Sequence, residues 1–523
     1  MIPAVTELAP TLEVACRRRP GEPAITYADT TISYGRFWEQ ALALAGAYLH
    51  LGIRPGDRVV CALRCCPEHL VAVAAAWACG AVHVGAHHDL TGSELASLVQ
   101  RTDATAVVIQ GRIDAADTRA LVDAVGAAAP AATAIVHGTA DGTALELAGL
   151  LGTAEPVEPT SGDVERTATL FLTSGTTGQP KAVVESLSAL VAKVRFFADA
   201  VAPGVDDVHL MYLPLCHAFG LKLALMALLS GGRLVMLNRF TPSEALRLVT
   251  SEQVTVLPAT PTHLTLLLTA LDPTCHRVES LRWVVSAAAS LPRPLAQQVY
   301  DRLGAEIFYV YGCSEGFLTA TTDRREILTG SVGHRVFRGP SGTPAAGSVR
   351  VVGQDPRRPL PPGEMGEIAF SAATPVRYWN QPDAATDGWY RTGDLGRLDP
   401  DGSLYVLGRR KELVNRGGQK IAPVEVEAAL ADHPGVADAA VVGTPDPVLG
   451  DAICACVTPA GASPPTLDEL RRFLATRLAR HKLPDELCVV DRLPRSRTGK
   501  LDRPALLELV SRPDRHRERL RPR

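Results

Sequence analysis

Short apolar runs that stop at glycine or proline alternate with helical stretches along most of this chain, and that alternation confines it to few architectures. Asp57–Leu63 (DRVVCAL) follows a Pro55-Gly56 turn and reads as a buried strand, Glu68–Cys79 as a helix and Ala81–Gly85 as the next strand. The rhythm recurs at Ala104–Ile109, Thr133–His137, Gly232–Leu237, Thr255–Leu257 and Leu281–Val285. Continuous apolar strands joined by helices call for parallel sheets covered on both faces. Past Gly330 the pattern changes to short strands between Gly/Pro/Asp turns, at Ser348–Val352, Gly366–Phe370 and Ser403–Leu407. A new unit follows Arg409, with helices over Val424–Ala431 and Leu467–Ala479 and strands over Ala437–Val442 and Ala452–Val457. Arg512–Arg523 is Arg-rich without apolar periodicity and is expected to be a frayed tail.

The 523 residues are 46% hydrophobic and 21% charged, which supports a large core and excludes wholesale disorder. A net charge of −3 supplies no basic face for nucleic acid. Neither Leu70–Ala86, broken by Gly80 and His83, nor Leu210–Leu229, interrupted by Pro214, His217 and Lys222, offers the ~20 uninterrupted apolar residues of a membrane span. The N-terminus lacks a basic start followed by an apolar run, so no secretory leader is expected. The 11 cysteines are scattered without a CxxC pair, which predicts reduced thiols in a cytoplasmic protein.

Leu170–Val183 (LFLTSGTTGQPKAV) carries the strongest chemical signal. An apolar strand runs into Thr173, Ser174, Gly175, Thr176, Thr177 and Gly178, followed by Lys181. Hydroxyls and bare backbone N–H groups can wrap a phosphate there, with Lys181 adding positive charge. It is not a P-loop, because GxxxxGK[ST] is absent.

The segment resembles the phosphate loop of the adenylate-forming superfamily: acyl- and aryl-CoA synthetases, luciferases and peptide-synthetase adenylation domains. The resemblance continues in order through Tyr309–Gly316 (YVYGCSEG), Trp389–Gly396 (WYRTGDLG), Gly408–Glu427 (GRRKELVNRGGQKIAPVEVE) and Pro494–Arg503 (PRSRTGKLDR), and is most like an acyl- or aryl-CoA ligase. It implies an α/β fold: a large N-terminal AMP-binding domain (1–408) of layered, mostly parallel sheets plus a small β-rich subdomain, and a small mobile α+β C-terminal domain (409–523) hinged at Lys411. It also implies an ATP-dependent, AMP-forming ligase using Mg2+, with CoA as co-substrate, that passes a small carboxylic acid through an acyl-adenylate to a thioester.

Physical reasons accompany the implied roles. A carboxylate is already ionised at neutral pH, so its attack on an α-phosphorus needs charge neutralisation and alignment rather than a base. By resemblance Lys500 bridges the carboxylate and the α-phosphate; alone, Gly499-Lys500 would read as an ordinary surface pair. Glu315, with Thr177, is expected to hold magnesium. Tyr311 offers a flat face to adenine, Gly312 permits close approach and Ser314 replaces the usual threonine; Asp394 can accept from the ribose hydroxyls and Arg409 can pair with ribose or α-phosphate. His217, with Phe219, Ala287, Ala288 and Val310, is expected at the acid pocket, and Gly417 and Gly418 at the pantetheine tunnel. Lys222, a lone charge in AFGLKLALMALL, could face an acidic substrate, but the favoured expectation is that it snorkels from a half-buried helix. Ala182, Leu187, Cys313 and Ser286–Pro292 (SAAASLP) depart from the family pattern or stand at its variable positions; added methyls in the last are expected to narrow the pocket.

Three alternatives stay open: transfer to a carrier-protein pantetheine in trans, adenylation of another oxyanion such as nitrite with transfer to an amine, and a nucleotide-binding pseudo-enzyme. The oligomeric state, monomer or homodimer, has no signature in the sequence.

Overall fold

The computed structural model describes residues 8–519 apart from 112–114, 139–143, 161–162, 164, 174–180, 317, 337–348, 356, 372–375, 382–387, 418, 496–499 and 513–516. Two large sheets form the N-terminal part. In the first, Leu145–Glu146, Thr133–His137, Ala104–Gln110, Arg58–Ala62, Val82–Gly85 and Thr167–Thr173 lie parallel, and Lys181–Ser186 closes the edge antiparallel. In the second, Glu306–Gly312, Trp283–Ser286, Val256–Ala259, Val208–Met211, Arg233–Met236 and Pro23–Tyr27 are parallel, with antiparallel strands at both edges. Every strand expected in this region is present.

Two-sided burial explains the apolar runs. In Arg58–Ala62, Val59 and Cys61 face the central core while Val60 and Ala62 face a second core; Ala106 and Val108 alternate with Val107 and Ile109 likewise. Helix Pro67–Ala78 covers Arg58–Ala62 and Val82–Gly85, and helix Ala218–Ser230 covers Val208–Met211 and Arg233–Met236. Both are apolar nearly all round because protein surrounds them. No helix among the described residues is long and apolar enough to cross a membrane. None of the 11 cysteines, all of them among the described residues, forms a disulfide.

A four-stranded antiparallel sheet follows, ordered Val349–Val352, Gly366–Ser371, Trp389–Leu398 and Leu404–Arg409. The C-terminal unit builds its own sheet around the hairpin Val436–Asp446 and Gly450–Pro459, with a separate core on each face. Two expectations need correction. The helix read over Leu467–Ala479 ends at Leu474, where the chain tightens and Arg477 N–H returns to Leu474 O. The Arg-rich tail is not frayed throughout: Glu518–Arg519 adds an edge strand to Glu486–Val489, and Arg517 reaches Glu486 at 2.9 Å.

Candidate active site

Candidate segments of the N-terminal part follow the carboxyl ends of parallel strands. Ser174–Pro180 follows Thr167–Thr173, His217 lies beyond Val208–Met211, Ala287 and Ala288 follow Trp283–Ser286, and Cys313–Glu315 follow Glu306–Gly312. Strands aligned this way leave a crevice at one end, where ligands of open α/β sheets bind. Ser174, Gly175, Thr176, Thr177 and Gly178 lie outside the described residues, as does Gly418. Their flanks are fixed: Thr173 and Lys181 pair directly across antiparallel strands, and Thr173 Oγ1 donates to Lys181 O at 3.5 Å. The glycine-rich segment therefore joins two strands rather than a strand and a helix. Lys181 Nζ stands over the Tyr378 ring, 4.6 Å from its centroid.

The small antiparallel sheet supplies the opposite wall. Asp394 lies on a strand rather than in the turn its residue type favours, directly across from Arg409. Its backbone is set by Thr392 Oγ1, which accepts from Asp394 N–H at 3.0 Å, and by Glu367 Oε1, which accepts from Gly393 N–H at 3.1 Å. Gly393 has φ of 76°, a conformation that favours glycine. Both Asp394 oxygens are engaged: Oδ2 accepts from the Tyr311 hydroxyl at 2.7 Å, and Oδ1 pairs with Arg409 Nε at 3.1 Å. Burial, then the Asp394 charge, pushes the Tyr311 hydroxyl well above its ordinary value, so it stays a donor. Glu315 Oε1 accepts from the Tyr378 hydroxyl at 3.0 Å, and Tyr378 shares a 2.9 Å hydrogen bond with Tyr390. Gly312, on the same strand as Tyr311, is exposed, and Ser314 is half-buried beside Glu315.

Lys500 joins this group from the C-terminal unit. The residue is solvent-exposed as a whole, yet enough protein surrounds its ammonium for desolvation to lead in lowering its proton affinity; the Arg409 charge adds to this, and Asp394, Glu315 and Cys313 oppose it. Lys500 also acts on His217, whose pKa falls to about 4 through burial first, then the charges of His87 and Lys500. His217 caps helix Ala218–Ser230, and its buried Nε2 meets no hydrogen-bond partner among the described residues. Gly85 makes this placement possible: a Cβ there would sit 2.6 Å from Cys216 O.

The acid pocket candidates border an apolar region. Phe197 meets Phe219 at 6.4 Å and Phe308 at 5.8 Å, and Val310, buried, shares a strand face with Phe308. Ala287 is buried; Ala288 is exposed, with φ of 77°. Tyr309 holds this segment, accepting from Leu291 N–H at 3.1 Å and donating to Ala289 O at 3.4 Å. Lys222 does not snorkel. It is buried against Glu185 at 3.1 Å, and Lys193 reaches the same carboxylate at 2.5 Å.

Two ion-pair sets bracket Lys411. Arg410 pairs with Glu367 of the small antiparallel sheet at 3.2 Å, whereas Glu412 accepts from Arg503 at 2.9 Å, and Arg503 also grips Glu427 at 2.8 Å. Lys411 is exposed between them. Gly417 is not part of the cleft group: it turns between Val414–Arg416 and Gln419–Ile421 with φ of 57°, its N–H on Leu449 O at 2.6 Å. Tyr378 and Glu367 escaped the reading of the sequence, since each reaches the cleft from a segment without a motif of its own, and Tyr390, though inside the Trp389–Gly396 motif, was given no role there.

Residues 12–377 match the family described as AMP-binding enzyme, and residues 425–500 match the AMP-binding enzyme C-terminal domain. Triostin synthetase I of Streptomyces triostinicus is 33% identical over 515 residues, covering 95% of this chain and 93% of that protein. A salicylyl-CoA synthase / salicylate adenylyltransferase of a Streptomyces species is 32% identical, covering 93% of this chain and 90% of that protein. The o-succinylbenzoate CoA synthetase of Bacillus subtilis, solved with its acyl-adenylate intermediate, superposes with a TM-score of 0.79 at 27% identity over 96% of this chain and 98% of that one.

Proposed function

The chain belongs to the AMP-binding enzyme family and is an AMP-forming ligase, and on that premise we propose that it activates a small aromatic carboxylic acid as the acyl-adenylate and passes the acyl group to CoA. The observation that carries this reading is the Tyr311–Asp394–Arg409 contact on the cleft wall, with Lys500 near enough for the charges of Arg409, Asp394 and Glu315 to act on it. The relatives' printed activities, salicylate and o-succinylbenzoate among them, support an aromatic acid.

The chemistry follows from charge. One carboxylate oxygen attacks the α-phosphorus of ATP and the bond to pyrophosphate breaks. Lys500 and Arg409 lower the repulsion between the two anions. Burial keeps His217 neutral at pH 7, so it positions the acid by hydrogen bonding and adds no charge. Asp394, held by Tyr311 and Arg409, faces the ribose side of the site. Adenylate-forming CoA ligases use ATP, Mg2+ and CoA. A hard cation fits oxygen donors, and the Glu315 carboxylate, oriented by Tyr378, is such a donor, with Thr177 as the second candidate. Bound there, the ion would neutralise phosphate charge.

For the second half-reaction the unit from Arg409 onward rotates about Lys411. Lys500 then leaves the cleft and the Gly417–Gly418 face approaches it. The residues from 1 to 408 act as the fixed body.

The test is pyrophosphate release across small aromatic, aliphatic and inorganic acids, with and without CoA. Release with an aromatic acid, and AMP plus thioester only when CoA is added, is the expected result. Failure of every acid to release pyrophosphate defeats the proposal, and release confined to inorganic oxyanions replaces the acid.

A further inference from the structure

Three charged side chains lie buried behind the cleft, and the adenylation chemistry uses none of them. Glu185 sits on strand Lys181–Ser186, Lys193 on helix Leu187–Val201 and Lys222 on helix Ala218–Ser230; their side chains are 1%, 6% and 4% exposed. Both lysines approach one carboxylate, at 2.5 and 3.1 Å. Two ammonium groups against one carboxylate leave an excess positive charge in the interior. An uncompensated buried charge is costly, and an incoming anion removes that cost.

The cluster adjoins the helix that carries Phe219 and the loop that carries Glu315. Lys222 lies three residues beyond Phe219, on the same side of its helix, and its ammonium is 5.3 Å from the centre of the Phe171 ring. Lys193 Nζ stands 3.6 Å from where a Cβ on Gly316 would be, so the cluster backs the loop that carries Glu315. Cys313, two residues before Glu315 on the same loop, is half-buried. Among the described residues, the ion pairs of Lys193 and Lys222 both run to Glu185 and to no second carboxylate.

We propose that Lys222 is a specificity-determining residue that pairs with a second anionic substituent on the pocket-bound acid, so that preferred substrates are dianions such as aromatic dicarboxylates. This rests on the adenylation reading for which end of the molecule reacts, but not for its binding. The alternative is a purely structural ion cluster, which predicts no discrimination among acids.

The experiment compares phthalate, isophthalate and terephthalate with the three matching toluates, in which a methyl replaces the second carboxylate. Pyrophosphate release gives kcat/KM for wild type and Lys222→Met, and calorimetry gives binding to wild type without turnover. The methionine variant keeps Glu185–Lys193 as a balanced pair, and its melting temperature checks the fold. Expected is at least a tenfold preference for one dicarboxylate over its toluate by both measures, lost in Lys222→Met, with toluate kinetics unchanged within threefold. Preference below tenfold for every pair in calorimetry overturns the proposal, as does an equal fall for both acids in a folded variant. Preferential binding without any pyrophosphate release supports the anion site while defeating the adenylation reading.

Discussion

Tyr378 donates its hydroxyl to Glu315 Oε1 at 3.0 Å, so the carboxylate assigned to the metal-nucleotide is aimed by a residue from a distant segment. The same ring lies under Lys181, 4.6 Å from its Nζ. Tyr378→Phe keeps the ring and the cation–π contact and removes one hydrogen bond to a charged group, an effect of about 1.5–3 kcal/mol. The expected outcome is a rise of about tenfold or more in the magnesium concentration for half-maximal pyrophosphate release, with KM for the acid unchanged. Magnesium titration of the two proteins checks this. An unchanged requirement would show that Glu315 needs no such support.

Lys500→Ala removes the ammonium that approaches Arg409, Asp394 and Glu315. Loss of one pre-organised charge at a reacting centre costs about 10²–10³ in rate. Adenylation should fall by that factor, whereas thioester formation from a supplied acyl-adenylate should stay within about threefold. Survival of adenylation within about tenfold, under ~1.4 kcal/mol of barrier, would remove Lys500 from the mechanism.

Lys411→Pro fixes φ at the residue between the Arg410–Glu367 and Glu412–Arg503 contacts. With the lobe held as described here, adenylation persists and thioester formation slows by at least about tenfold. Single-turnover measurement of each half-reaction separates the two. Equal losses would mean general damage at the junction and no pivot there.

Buried histidines make stability sensitive to mild acid. Burial lowers His69, His209, His217 and His263 to about 4 and His83 to about 3, against the ordinary 6.5. The unfolded chain takes up these protons first. Their contribution is therefore complete above pH 6.5 and drains as pH falls toward 4. The urea midpoint should hold steady from pH 8 to 7 and drop between 6.5 and 5, above the carboxylate range. A flat midpoint across that interval contradicts the assigned burial.

Much of the fold is legible in the chain because parallel strands buried on both faces write themselves as unbroken apolar runs, as in Val59–Ala62 and Ala106–Ile109. The small antiparallel sheet is half legible. Trp389–Leu398 reads as a motif, and only the ladder to Leu404–Arg409 shows that Asp394 rides on a strand. Leu467–Ala479 keeps a helix-like composition past Leu474, and nothing local marks where packing ends it.

Side-chain partnerships are less legible because they join residues far apart in sequence. Tyr378, Tyr390 and Glu367 act through groups up to 63 positions away, as the Tyr378–Glu315 bond shows. The Glu185–Lys193–Lys222 cluster did leave a trace: Glu185 and Lys222 are each a lone charge within an apolar stretch. Charges of opposite sign in such settings are candidates for one another, and that pairing was the missed signal.

The moorings on either side of Lys411 have a mechanical corollary. Its neighbours Arg410 and Glu412 are tied to different halves, so a pivot at Lys411, as proposed, would make the smaller lobe a weathervane and not a kite, turning on one short axle. On the proposed rotation, withdrawing the lysine edge and presenting the glycine edge would be one stroke, and the two half-reactions would exclude each other by geometry, without any signal passing between them.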